Sequence, residues 1–160
     1  MSIHVSMPCD AEPSSPRQKL PDRRMHHGLV VEWNNGDQPT KEILGGLGTT
    51  RDGKVREVFV DRSERLKEGS EILTLANDAC LLASLLLQHG YSASQLLAKL
   101  MKVHDSDAEK RFRDRDTGIA RPSIIAKLLA ASVDLEREEG PWIAWMHGEG
   151  PMPEGEPPHD

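Results

Sequence analysis

Glu68 to Gly90, EGSEILTLANDACLLASLLLQHG, is the longest apolar run in the chain and the feature that most limits its fold. Ile72, Leu73, Leu75, Ala76, Ala79, Cys80, Leu81, Leu82, Ala83, Leu85, Leu86 and Leu87 fall on every side of a helix with about 3.6 residues per turn. A helix apolar all round has to be enclosed, so the run predicts a central core helix from Ser70 to His89. Ser70 supplies an oxygen that can accept from the free N–H groups of a first turn, and Gly90 suits the left-handed residue just past a C-terminus. A bilayer span needs about 20 such residues. Asn77 and Asp78 break the run at its middle, where polar and charged groups are costly in lipid. The core reading is therefore preferred over the membrane one.

With 160 residues the chain has room for one domain, of roughly 115 residues once its ends are set aside. Its net charge of -6 comes from 26 acidic against 20 basic residues, and position decides what that means. Six acids, Glu138, Glu139, Glu149, Glu154, Glu156 and Asp160, lie beyond the last basic residue, Arg137, so the preceding body is neutral. A neutral body with few aromatic residues has little electrostatic or stacking grip on a nucleic acid. Cys9 and Cys80 are the only cysteines, one in a Pro/Ser-rich leader and one in the apolar run, which argues against a disulfide framework. The first residues have no apolar stretch of signal-peptide length, so the cytoplasm is the expected compartment and no membrane partner is implied.

Taken in order, residues 1–19 mix Ser, Pro and charge without periodicity and are expected to be disordered. Leu29, Val31 and Trp33 alternate with polar or solvent-facing positions as in a short half-buried strand, closed by the turn signal Asn34-Asn35-Gly36-Asp37. A second strand over Thr40–Leu47 carries Ile43, Leu44 and Leu47. Gly45, Gly46 and Gly48 there suggest a bulge or a close backbone approach rather than a phosphate loop, because no helix with the required Lys and Ser/Thr follows. Asp52-Gly53 predicts a two-residue hairpin with positive φ at both positions, leading to a third strand over Lys54–Asp61 with Val55 and Phe59 on one face. Ser92 caps a second helix with Leu96, Leu97, Leu100 and Met101 on one side, expected to pack antiparallel on the first. His104 to Asp116 mixes acids and bases as a solvated excursion, and its Asp105-Ser106-Asp107 lacks the glycine and closing Glu of a calcium loop. Pro122 at the first helical position then opens a third helix running to about Glu138 with Ile124, Ile125, Leu128, Leu129, Val133 and Leu135 along it.

The sequence thus predicts an α+β fold: a small antiparallel sheet of three strands packed on a buried central helix, with two further helices. The domain spans residues 20–138, and 139–160 form an acidic Pro/Gly-rich tail. Trp142, Ile143, Trp145 and Met146 make an apolar knot in that tail, either packed back on the domain or docking a partner. His26-His27 lack a Glu or Cys at ligand spacing, no Gly-x-Ser-x-Gly elbow exists, and no metal site or catalytic residue is assigned.

Several segments together resemble a known family. Asp52-Gly53-Lys54-Val55-Arg56-Glu57-Val58-Phe59-Val60-Asp61, then Lys67-Glu68-Gly69-Ser70, Ala79, Ser84-Leu85, Leu87-Gln88-His89-Gly90 and Leu96-Leu97 are similar to the C-terminal part of adenosylcobalamin-dependent ribonucleotide reductases. Leu20-Pro21-Asp22-Arg23-Arg24 resembles the segment that introduces that part, the TSCPD domain, and Gly118 to Leu129 falls where the Thr-Ser-Cys-Pro-Asp motif and its helix belong. The resemblance covers roughly residues 20–135. At the motif, Gly118 and Pro122 are kept, whereas Arg121 stands in place of the Cys and Ser123 in place of the Asp, which excludes a thiol role at position 121.

The resemblance implies a part in deoxyribonucleotide synthesis, and hence in DNA synthesis. Reduction by that family needs a nucleotide- and cobalamin-binding barrel and three cysteines, and this chain has two. It is therefore expected to serve as an accessory module beside a ribonucleotide reductase catalytic chain, with no cofactor of its own and adenosylcobalamin held by that partner. The alternative is a small regulatory module that binds an anion or nucleotide. Its site would lie where the starts of two helices, marked by Gly69 and Ser70 and by Gly118, Arg121, Pro122 and Ser123, offer free N–H groups.

Overall fold

The computed structural model describes residues 16–18, 20, 25–33, 41–61, 70–100 and 123–157, leaving aside the side chains of residues 33 and 41. Strands β1 (Met25–Trp33), β2 (Lys41–Thr49) and β3 (Val55–Val60) form one antiparallel sheet in the order β1-β2-β3. Helices α1 (Glu71–Gln88), α2 (Ala93–Lys99), α3 (Ile124–Glu138) and α4 (Gly140–Met146) complete a mixed α+β fold. The expected three-stranded sheet and three helices are present, and α4 is a fourth helix that composition hid, since Gly140 and Pro141 read as a stop.

The inner face of the sheet carries Val31, Ile43, Leu47, Val58 and Val60, all buried. Helix α3 lies across this face and touches all three strands. It comes close because Gly45 has no side chain: a Cβ there would stand 2.7 Å from Leu128 Cδ2. On the outer face Gly46 does the same for an aromatic ring, since a Cβ would run into Phe59. The glycines of β2 therefore mark close approaches on both sides, and a bulge lies between Gly48 and Thr49, as the sequence suggested.

That bulge corrects the reading of β3. Gly48 pairs with Glu57 and Thr49 with Val55, so Arg56 is an extra residue and the alternation shifts by one. Val55 consequently turns inward with Val58 and is fully buried, whereas Phe59 faces out over Gly46. The hairpin turn is also different. Thr50 and Lys54 close a loop of Arg51, Asp52 and Gly53, in which Gly53 alone has positive φ, at 73°. Three-residue loops with a left-handed glycine are the next-commonest hairpin solution after the two-residue turns. A Cβ at Gly53 would also overlap the Gly140 carbonyl, so this glycine serves both its own φ and the packing of the α3–α4 junction.

Helix α1 begins and ends where the sequence placed it. Ser70 Oγ accepts from the Leu73 N–H, and Gly90 follows the His89 cap with φ of 96°. It packs on β3, not in the centre of the molecule. Ala76, Cys80, Ala83, Ser84 and Leu87 are buried, but Leu75, Leu81 and Leu82 are 60–62% exposed. The expectation of enclosure on all sides therefore fails, because the sheet has one edge to offer this helix and no second layer covers its back among the described residues. Helix α2 keeps its predicted start, with a capping box between Ser92 and Gln95, but it packs on α3 instead of lying along α1. Helix α3 starts later than predicted: Ser123 is its N-cap and Ile124 its first residue, so Pro122 precedes the helix.

Candidate functional site

The edge of β3 is where the sequence concentrates polar contacts between elements. Ser84 Oγ accepts from the Val58 N–H at 2.9 Å and donates to the Val58 carbonyl at 3.0 Å, both within the buried interior. The Val55 N–H donates to Glu136 Oε1 at 2.8 Å, and Gln88 Nε2 donates to the Arg56 carbonyl at 3.4 Å. Backbone groups that would otherwise offer a pairing edge are thereby satisfied by side chains of α1 and α3. Arg56 Nη1 donates in turn to the Leu87 carbonyl at 2.8 Å, at the negative end of the α1 dipole, while its Nε is buried without a partner. Near the same helix end Arg17 Nε donates to Gln88 Oε1 at 2.9 Å, and the Gln18 N–H donates to the Gln88 carbonyl at 2.8 Å. The β3 edge is closed to a partner strand at these positions.

At each of the two helix starts proposed for an anion, a serine cap takes up one N–H. Ser70 accepts from Leu73 and Ser123 from the Ala126 N–H at 3.2 Å. Gly69, Gly118, Arg121 and Pro122 lie outside the described residues. The turn at 34–37, Arg23 and Arg24, and the charged excursion at 104–116 lie outside them as well. Cys80 is 1% exposed, and burial pushes its thiol up to about 11. A thiol held neutral in this way is a poor nucleophile. Among the described residues no group of three His, Cys, Asp or Glu side chains is placed to hold a metal.

The two adjacent histidines separate because strand neighbours point to opposite faces. His26 Nε2 lies 3.5 Å from Glu57 Oε2 on the outer face, its ring 5.5 Å from Phe59. His27 Nδ1 lies 3.5 Å from Glu139 Oε2, and its Nε2 is 3.4 Å from Thr49 Oγ1, tying β1 to the end of α3. Sequence reading passed over these pairs because Glu57 and Glu139 are 31 and 112 positions away from their partners.

Trp142, Ile143, Trp145 and Met146 are brought together by α4, and the helix divides them by role. Ile143 is buried at 3% exposure and fixes α4 to the domain beside α3. Trp145 and Met146 turn outward at 41% and 59%, and the Trp142 and Trp145 rings meet edge to face at 6.0 Å. Of the apolar knot, Ile143 packs back on the domain, while Trp145 and Met146 remain outside. This outward pair on a firmly anchored turn is the best-defined candidate site among the described residues. Comparison with family models, curated proteins and solved structures finds no match to this chain.

Proposed function

We propose that the chain is an accessory module of deoxyribonucleotide synthesis in the cytoplasm, docking an adenosylcobalamin-dependent ribonucleotide reductase catalytic chain through Trp145 and Met146. The observation that carries the docking role is α4 itself: Ile143 holds the helix down while an aromatic ring and a flexible thioether remain outside. Trp is strongly enriched among residues that dominate binding energy, and Met adapts to varied apolar partners. The reductase assignment rests on the resemblance over residues 20–135. The buried, neutral Cys80 supports a non-catalytic part, because reduction of a ribose by thiols needs cysteines that substrate can reach.

The test is direct binding of the purified full chain to a cobalamin-dependent reductase chain by sedimentation, with Trp145→Ser/Met146→Ser as comparison. A complex with the unsubstituted chain that the double variant loses supports the proposal. Absence of a complex, or one insensitive to both substitutions, overturns it. A thermal shift with nucleoside diphosphate alone would instead favour the nucleotide-binding alternative.

A further inference from the structure

We propose that this chain forms a two-fold dimer in which β1 pairs antiparallel with β1 of a second copy, centred on Gly28. The two edges of the sheet use their backbone groups differently. On β3 the outward groups of Val58 are taken by Ser84, the Val55 N–H by Glu136 and the Arg56 carbonyl by Gln88. On β1 two observations identify the outward groups. The Leu44 carbonyl accepts from the Asp61 N–H on the β3 side, so Val30, paired with Leu44, turns its own N–H and carbonyl away from β2. Two residues on, the Glu32 carbonyl accepts from Lys127 Nζ, as the alternation requires. His26, Gly28 and Val30 therefore aim their backbone donors and acceptors out of the sheet, and among the described residues nothing pairs with them. The strand is nine residues long, with no proline and no bulge against β2, so it lacks those devices that blunt an edge.

Gly28 sets the centre. Glycine weakens a strand and marks places where something comes close. Within the chain Gly45 meets Leu128, Gly46 meets Phe59 and Gly48 meets Glu57, whereas a Cβ at Gly28 would have nothing within 4 Å. At a two-fold axis a residue lies opposite its own copy, and glycine removes the need to pack identical side chains there. The free edge also reads alike in both directions from this point. Each His26 lies opposite Val30 of the second copy, every free residue meets another free residue, and each such pair can exchange two hydrogen bonds. Centring on Val30 would instead oppose Gly28 to Glu32, whose carbonyl Lys127 holds. In the chosen register no like charges meet, and the imidazole of one copy covers Val30 of the other, which is 56% exposed in the single chain. The two three-stranded sheets become one, and assembly stops at two copies because the β3 edges are closed.

The full chain is examined by sedimentation velocity and light scattering over a wide concentration series. A species of twice 17.8 kDa is expected, reverting to 17.8 kDa in Gly28→Pro with an unchanged circular dichroism spectrum, since proline is tolerated where its missing N–H faces out of the sheet. Hydrogen exchange on the unsubstituted chain decides if that variant does not fold: the His26, Gly28 and Val30 amides should be protected at high concentration and exchange quickly on dilution. A third arm oxidises Gly28→Cys in a Cys9→Ser background. Directly opposed Cα atoms stand about 5.5 Å apart in such a pair, so a disulfide-linked dimer is expected. A chain that stays at 17.8 kDa, a species larger than a dimer, or a dimer unaffected by Gly28→Pro overturns the proposal. So do edge amides indifferent to concentration, or a failure of Gly28→Cys to cross-link. None of these readouts involves Trp145 or Met146, so the dimer and the docking role fail separately.

Discussion

Along α1, Ala76, Cys80, Ala83 and Ser84 lie at 7% exposure or less against β3, whereas Leu75 and Leu82, from the same apolar run, stand at 60% and 62%. The two sides differ in size far more than in polarity. From Ala76 to Ser84 the residues that face the strand are small, and Leu87 and Gln88 near the helix end are the large ones buried on that side. A helix that covers a sheet edge must come near enough for a side chain to reach the strand backbone, and Ser84 does so at 2.9 and 3.0 Å from Val58. A bulky side chain in place of Ala76, Ala83 or Ser84 would hold this part of the helix off the strand. The comparison teaches that hydrophobicity alone does not say which side of α1 is inside: close approach to β3 around Ser84 needs small neighbours, and Leu87 fills the space at the helix end.

Four measurements sharpen or break this contrast. The largest effect is expected at Leu87, fully buried on the strand side. Leu87→Ala should cost about 2–5 kcal/mol in urea unfolding, the range for a core leucine that leaves a cavity. A cost below about 1 kcal/mol would mean that the strand side is not the tight one.

Alkaline pH tests the same side through Cys80. Its folded pKa is raised by burial, so between about pH 9 and pH 11 the unfolded chain binds fewer protons than the folded one. Stability is then fully present below pH 9 and falls as pH rises towards 11, by up to about 3 kcal/mol. Cys80→Ser should remove that dependence. An unchanged alkaline slope in the variant would place its origin in other groups.

Ser84→Ala leaves the Val58 N–H and carbonyl without their partner inside the protein and should destabilise by about 1–3 kcal/mol. Hydrogen exchange at the Val58 amide is the sharper reading, because loss of the bond should speed it even if global stability moves little. On the opposite side, Leu82→Ala should change stability by less than about 0.5 kcal/mol, because Leu82 is 62% exposed. A cost equal to that of Leu87→Ala would abolish the contrast.

Much of this architecture was legible in the chain. Ser70, Ser92 and Gly90 mark helix ends by local chemistry, and each does so in the structure. Gly45 and Gly46 announced close approaches without naming what approaches, since Leu128 and Phe59 reach them only through the fold. The placement of Phe59 opposite Val55 was not legible. A single extra residue at Arg56 reverses the alternation, and the glycines of β2 suggested a bulge without saying where in β3 it would add a residue. The candidate site was half visible: Trp142, Ile143, Trp145 and Met146 stood out as apolar residues in an acidic tail, but their division into anchor and outward pair depends on where α4 lands.

The sequence by itself determined the element types, their order and most helix starts, because propensity, capping and periodicity act within a few residues. Only the tertiary structure decided the rest. Ser84 became the partner of Val58, α2 went to α3, and one side of an all-apolar helix was left outside. Those outcomes depend on volume and hydrogen-bond reach between segments far apart in the chain, and a one-dimensional pattern carries neither.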